Sequence, residues 1–136
     1  IWMPMNLIII RALINYFAYF GDSFKVECPV GSGRQMNLYE VAKEISSRLT
    51  DIFLRGSDGR RPTFGVREKF HRDPNWCDYI HFYEYFHGDT GAGVGASHQT
   101  GWTGLVASLI DIFGSVSAEA ILDRGKMALF EKAGSS

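Results

Sequence analysis

Glu84 stands between Tyr83 and Tyr85, with Phe82 and Phe86 on either side of them, at the head of the stretch YEYFHGDTGAGVGASHQTGW that runs to Trp102. A carboxylate among aromatic rings is poorly solvated unless it is hydrogen-bonded, and burial makes a carboxylate a stronger proton acceptor near neutral pH. That makes Glu84 a candidate general base. Composition alone favours a plainer reading, an exposed glutamate on an edge strand. Trp2, Tyr16, Trp76, Tyr79, Tyr83, Tyr85 and Trp102 add more flat rings than a small core needs. Rings beside carboxylates commonly hold sugars, through the apolar C–H faces and hydrogen bonds to the hydroxyls.

The other chemistry-bearing residues form weaker patterns. Gly88, Gly91, Gly93, Gly95 and Gly101 make a glycine run, and glycine this dense costs backbone entropy. Such a run serves unusual dihedrals or a close approach of backbone to something. It fits no Walker motif, since no Gly-Lys-Ser/Thr follows. Gly91, Gly93 and Gly95 match only part of a dinucleotide fingerprint, so a nucleotide-binding loop is the weakest reading. His71, His81, His87 and His98 have no zinc-ligand spacing, which predicts no metal site. Ser97 lacks the glycine flanks of a nucleophile elbow. Cys28 and Cys77 are far apart in sequence and read as two buried thiols rather than a disulfide.

The elements that must carry these residues are mainly helical. Pro4–Phe20 has apolar positions Leu7, Ile10, Ile14 and Phe17 at helical spacing, and Ile8, Ile9, Leu13, Tyr16 and Phe20 widen that face almost all round, as in a helix buried within something larger. Gly21 and Asp22 stop it. Residues 24–35 read as loop. Asn37 with Glu40 forms a capping box for a second helix, Leu38 to about Leu54, with one wet face. Residues 55–62 (RGSDGRRP) are a polar turn, and 63–76 read as irregular loop. Residues 80–86 alternate as a short strand that places Glu84 on the face of Ile80, Phe82 and Phe86. A third helix runs from Thr100–Thr103 to Phe113, stopped by Gly114. A fourth follows Ser117 as N-cap, is interrupted at Gly125, and carries Leu129 and Phe130. The last residues, AGSS, read as a frayed tail.

The chain of 136 residues, 46% apolar with a net charge of −1, is globular in composition and has no electrostatic surface for nucleic acid. The apolar run Leu7–Ile10 is short and Arg11 follows it, so no membrane span is expected, and no signal peptide is recognised. Cytoplasmic placement is the expectation.

The stretch 82–110 (FYEYFHGDTGAGVGASHQTGWTGLVASLI) resembles the last block of glycoside hydrolase family 63. Residues 1–13 (IWMPMNLIIIRAL) resemble that family's tryptophan block, and 25–42 (KVECPVGSGRQMNLYEVA) the link between two late barrel helices of its bacterial members. The resemblance covers 1–114, leaving 115–136 as a terminal helix and tail. It implies the C-terminal portion of an (α/α)6 barrel, built of helical hairpins with long loops. It implies inverting hydrolysis of α-glucosides or related glycosides such as glucosyl- or mannosylglycerate, without a cofactor, with Glu84 as general base and Trp2, Asn6, Tyr85 and Trp102 as sugar-contacting residues. Inversion needs a second carboxylate as general acid, with ~6.5–9.5 Å between the two. In the family that acid lies upstream of the tryptophan block, and the present sequence opens inside that block.

Two readings follow. The chain is a C-terminal piece of an inverting α-glycoside hydrolase, inactive by itself. Alternatively it is a non-catalytic carbohydrate-binding module derived from one, forming a homo-oligomer that covers exposed apolar helix faces.

Overall fold

The computed structural model describes residues 1–129 of the chain, and it is mainly α-helical. In order, the elements are helix α1 (Met3–Phe20), strands β1 (Lys25–Glu27) and β2 (Gln35–Asn37), and helix α2 (Leu38–Asp51). A 3-10 turn (Pro62–Phe64), helix α3 (Glu68–Arg72) and strands β3 (Tyr85–Phe86) and β4 (Gly93–Val94) follow. Helices α4 (Thr100–Thr103), α5 (Val106–Ser115) and α6 (Ala118–Arg124), and a 3-10 turn over Gly125–Leu129, complete the described chain. These residues form two compact units, one of 1–6 and 47–108, the other of 7–46 and 109 onward.

In the second unit the helical periodicity predicts the core well. Ile10, Ile14 and Phe17 of α1 are fully buried, as are Leu109 and Ile121, with Met36, Leu38, Tyr39 and Ala42 nearly so. Full burial of such a side chain is worth roughly 1.5–3 kcal/mol. Tyr39 packs on Phe17 and Phe113 and donates its hydroxyl to the Val116 carbonyl at 2.6 Å. Burial, with Glu119 nearby, raises that phenol above its ordinary value. The capping box forms as the sequence predicts. The Asn37 amide donates to the Glu40 carboxylate at 2.9 Å and the Glu40 amide to Asn37 Oδ1 at 2.8 Å. Ser117 caps α6, accepting from the Ala120 amide, and Gly125, at φ +60°, ends it.

Several boundaries differ from the sequence reading. Residues 24–35 are not simply loop, because β1 and β2 pair antiparallel there, Val26 opposite Met36. The Gly33 amide donates to Glu27 at 2.6 Å, tying the hairpin tip. Helix α2 stops at Asp51, three residues short of the expected end. The expected third helix is broken into α4 and α5, and α5 passes through Gly114 to Ser115. Phe130 and the tail lie outside the described residues.

On α1, Ile8, Ile9, Tyr16 and Tyr19 are 62%, 48%, 57% and 81% exposed, so its second apolar face is uncovered. Its 18 residues, with Arg11 the one charge, are long and apolar enough by length and composition to cross a membrane, which the short run Leu7–Ile10 does not suggest. Core helices of soluble proteins meet the same criterion.

The first unit has little regular structure. Met3, Leu49, Ile52, Phe53, Phe64, Tyr83, Phe86 and Val106 form its core. Residues 63–76, expected as loop, contain part of a 3-10 turn and the short helix α3. The strand expected over 80–86 shrinks to Tyr85–Phe86, which pairs with β4 by Tyr85–Val94 and Phe86–Gly93. The alternation of Phe82, Glu84 and Phe86 does not extend into a ladder. Cys28 and Cys77 are both free and half-buried.

Candidate functional site

Glu84 sits where three segments of the first unit converge. Its backbone amide donates to the Ala96 carbonyl at 2.8 Å, the Gln99 amide donates to Phe82, and Phe82 bridges His98. The chain 82–86 is therefore held against 93–99 at both ends of Glu84. Phe82 and Phe86 both pack on Phe53, which anchors the segment to the core. The buried Thr103 hydroxyl donates to the Tyr83 carbonyl, fixing the start of α4 to the same strand. Sequence reasoning missed Thr103, because a threonine inside an apolar helical run carries no signal of a partner 20 residues earlier.

The glycine run has a structural explanation in this geometry. Its loop satisfies polar groups locally. The Gly91 amide donates to the His87 carbonyl, the His87 amide to Ala92, and the Asp89 amide to His87 Nδ1. What requires glycine is close approach. A Cβ at Gly93 would lie 2.1 Å from Tyr83 Cδ2. A Cβ at Gly95, where φ is +78°, would lie 2.7 Å from Glu84 Oε2 and 3.1 Å from Tyr85 Cε1. The backbone at 93–95 is thus the surface on which Tyr83, Glu84 and Tyr85 rest.

Trp2 is brought in by main-chain pairing. The Phe86 amide donates to the Ile1 carbonyl at 2.9 Å, and the Ile1 nitrogen donates to the Phe86 carbonyl at 2.6 Å. This register sets Trp2 beside Tyr85. The two rings stack with centroids 5.5 Å apart and 18° between planes. Trp102 meets Trp2 edge-on at 5.8 Å. Trp2 and Trp102 remain 44% and 39% exposed, so the three rings form an aromatic wall with open faces. Asn6 donates its side-chain amide to the Trp2 carbonyl at 2.8 Å, an interaction that orients the tryptophan's backbone. Glu84, next to Tyr85 in the chain, is half-buried, and no described residue donates a hydrogen bond to its carboxylate.

Behind Tyr83 lies a second cluster. His81 is ringed by Phe64, Phe70, Trp76 and Tyr83. Burial, and secondarily Arg67, hold its imidazole below the ordinary value of 6.5. Among the described residues no group of three or more His, Cys, Asp or Glu has the geometry to hold a metal ion.

An uncharacterized protein of Saccharomyces cerevisiae is 49% identical to the chain over 116 residues, which is 84% of this chain. The chain spans 11% of that relative's length. No family model matches the chain, and no solved structure matches it.

Proposed function

We propose that this chain supplies the general base and one wall of the sugar subsite of an inverting α-glycoside hydrolase, as the C-terminal portion of an (α/α)6 barrel. The observation that carries the reading is the half-buried Glu84, whose carboxylate meets the edge of Tyr85 around Gly95, Tyr85 being one ring of the open wall it forms with Trp2 and Trp102. A sugar ring laid on that wall presents its apolar face to the rings. Glu84, with no described donor on its carboxylate, is left to accept a proton from water attacking the anomeric carbon. Base catalysis of this kind is worth ~100–10,000-fold. Resemblance of residues 82–110 to glycoside hydrolase family 63 supports the same assignment.

The general acid belongs to another segment of a longer polypeptide. Two observations support this. The relative in Saccharomyces cerevisiae is about nine times as long as the matched portion, and α1 carries an uncovered apolar face of the kind that neighbouring barrel helices pack against. The chain by itself is then expected to release no glucose from an α-glucoside. Glucose release that disappears in Glu84→Gln would overturn the need for an outside acid. Calorimetric titration with α-glucosides separates the second reading: sugar binding with no catalytic role for Glu84 favours a carbohydrate-binding module.

A further inference from the structure

We propose that a cleft between residues 51–67 and the glycine hairpin binds a small molecule through an oxyanion group, phosphate or carboxylate. The cleft encloses about 810 Å³. Its lining includes none of Glu84, Trp2, Tyr85 and Trp102, so it is separate from the aromatic wall and does not depend on the glycosidase reading.

Four guanidinium-bearing side chains, Arg55, Arg60, Arg61 and Arg67, line it with His71. The carboxylates lining it are Asp51 and Asp58. Arg55 is paired with Asp78 at 3.0 Å and Arg60 with Glu68 at 2.7 Å, and both of those acids stand outside the lining. Arg61 and Arg67 are different. Among the described residues no carboxylate pairs with either. Neutral partners hold them instead. Arg61 Nη1 donates to the Phe53 carbonyl at 2.6 Å, and the Arg67 guanidinium lies over the Tyr83 ring, 5.4 Å from its centroid.

The two side chains are thus positioned but not neutralised. A planar guanidinium fork held in place loses less freedom on binding, and its geometry matches an oxyanion through paired N–H···O bonds. Local polar satisfaction is also incomplete. Arg61 Nε is buried with no hydrogen-bond partner among the described residues, and an unmet buried donor is costly. His71 Nε2 lies 2.9 Å from the Gly65 carbonyl, which orients its ring. The cleft is tight where the 3-10 turn meets the hairpin. A Cβ at Gly65, where φ is +55°, would lie 3.0 Å from Ala92 Cβ, so the 3-10 turn and the hairpin meet without room for a side chain.

The test is calorimetric titration of the chain with inorganic phosphate and, separately, with acetate, at constant ionic strength. Saturable binding of one of them is expected, and which anion binds identifies the group. Arg67 is exposed, so Arg67→Gln leaves the core intact and should weaken binding about tenfold, with Arg67→Lys intermediate because it keeps charge but not the fork. Arg34→Gln, an exposed arginine outside the lining and in the other unit, should leave affinity unchanged. No saturable binding of either anion, or the same loss in Arg34→Gln as in Arg67→Gln, overturns the proposal.

Discussion

Gly95 lies against the Glu84 carboxylate so closely that a methyl group there would sit 2.7 Å from Oε2. The backbone at 95 also has φ +78°, a region that costs an L-residue about 1–2 kcal/mol. Gly95→Ala should therefore destabilise the chain by roughly 1–3 kcal/mol, mostly backbone strain with a smaller steric part, since Gly95 is exposed and the end of the Glu84 side chain can swing aside. Urea unfolding of Gly95→Ala in wild-type and Glu84→Ala backgrounds checks this. The cost should shrink, without vanishing, when the glutamate is truncated, because only the steric part depends on Glu84.

The reciprocal bonds between Asn37 and Glu40 start α2, and Asn37 Nδ2 also donates to Asp22 at 2.7 Å. Asn37→Ala removes the cap and leaves Asp22 without that donor. An expected loss of about 1–2 kcal/mol in unfolding free energy follows. Asn37→Ser should recover part of it, since a serine also caps but cannot reach Asp22.

Acid should weaken the fold through His81 before it does so through the carboxylates. The imidazole is held below 6.5 by burial, then by Arg67, so the unfolded chain takes up the proton first. Its contribution to stability is complete above about pH 6.5 and is lost as the pH falls through the folded-state value. Glu27, Glu68 and Glu119 are held below 4.5, so their contributions persist to lower pH. Urea midpoints measured from about pH 8 to about pH 5 should fall, and His81→Phe should flatten that fall.

Trp2 exposes one face while stacking on Tyr85 with the other, and so is suited to report on sugar binding by its fluorescence. Trp2→Ala should weaken binding of an α-glucoside about fivefold, and Trp102→Ala by a similar factor, since an aromatic stacking contact contributes about 1 kcal/mol. Asn6→Ala should act indirectly and more weakly, because Asn6 holds the Trp2 carbonyl.

The sequence foretold what periodicity and capping encode. Ile10, Ile14 and Phe17 are buried, and Asn37 with Glu40 caps α2, because both depend on residues within a turn or two of each other. The helix broken between Thr103 and Val106 was illegible. Gly104 packs against its own preceding turn, where a Cβ would lie 2.0 Å from the Thr100 carbonyl oxygen. The strand at 80–86 failed for a related reason. Alternating side chains signal a strand, but the ladder is confined to Tyr85–Val94 and Phe86–Gly93, with Phe82–His98 an isolated bridge. At the candidate site, Glu84 and the rings were nameable from residue type. The contact of Gly95 with Glu84 and the bond from Thr103 to Tyr83 are long-range facts that no local pattern carries.

The assignment of Glu84 is tested most directly with α-glucosyl fluoride, whose leaving group needs no protonation and so no general acid. Proton NMR of the chain with this substrate should show β-glucose as the first-formed product, at a rate lowered ~100-fold or more in Glu84→Gln. First-formed α-glucose, a rate unchanged by Glu84→Gln, or sugar binding with no turnover at all would contradict Glu84 as the base.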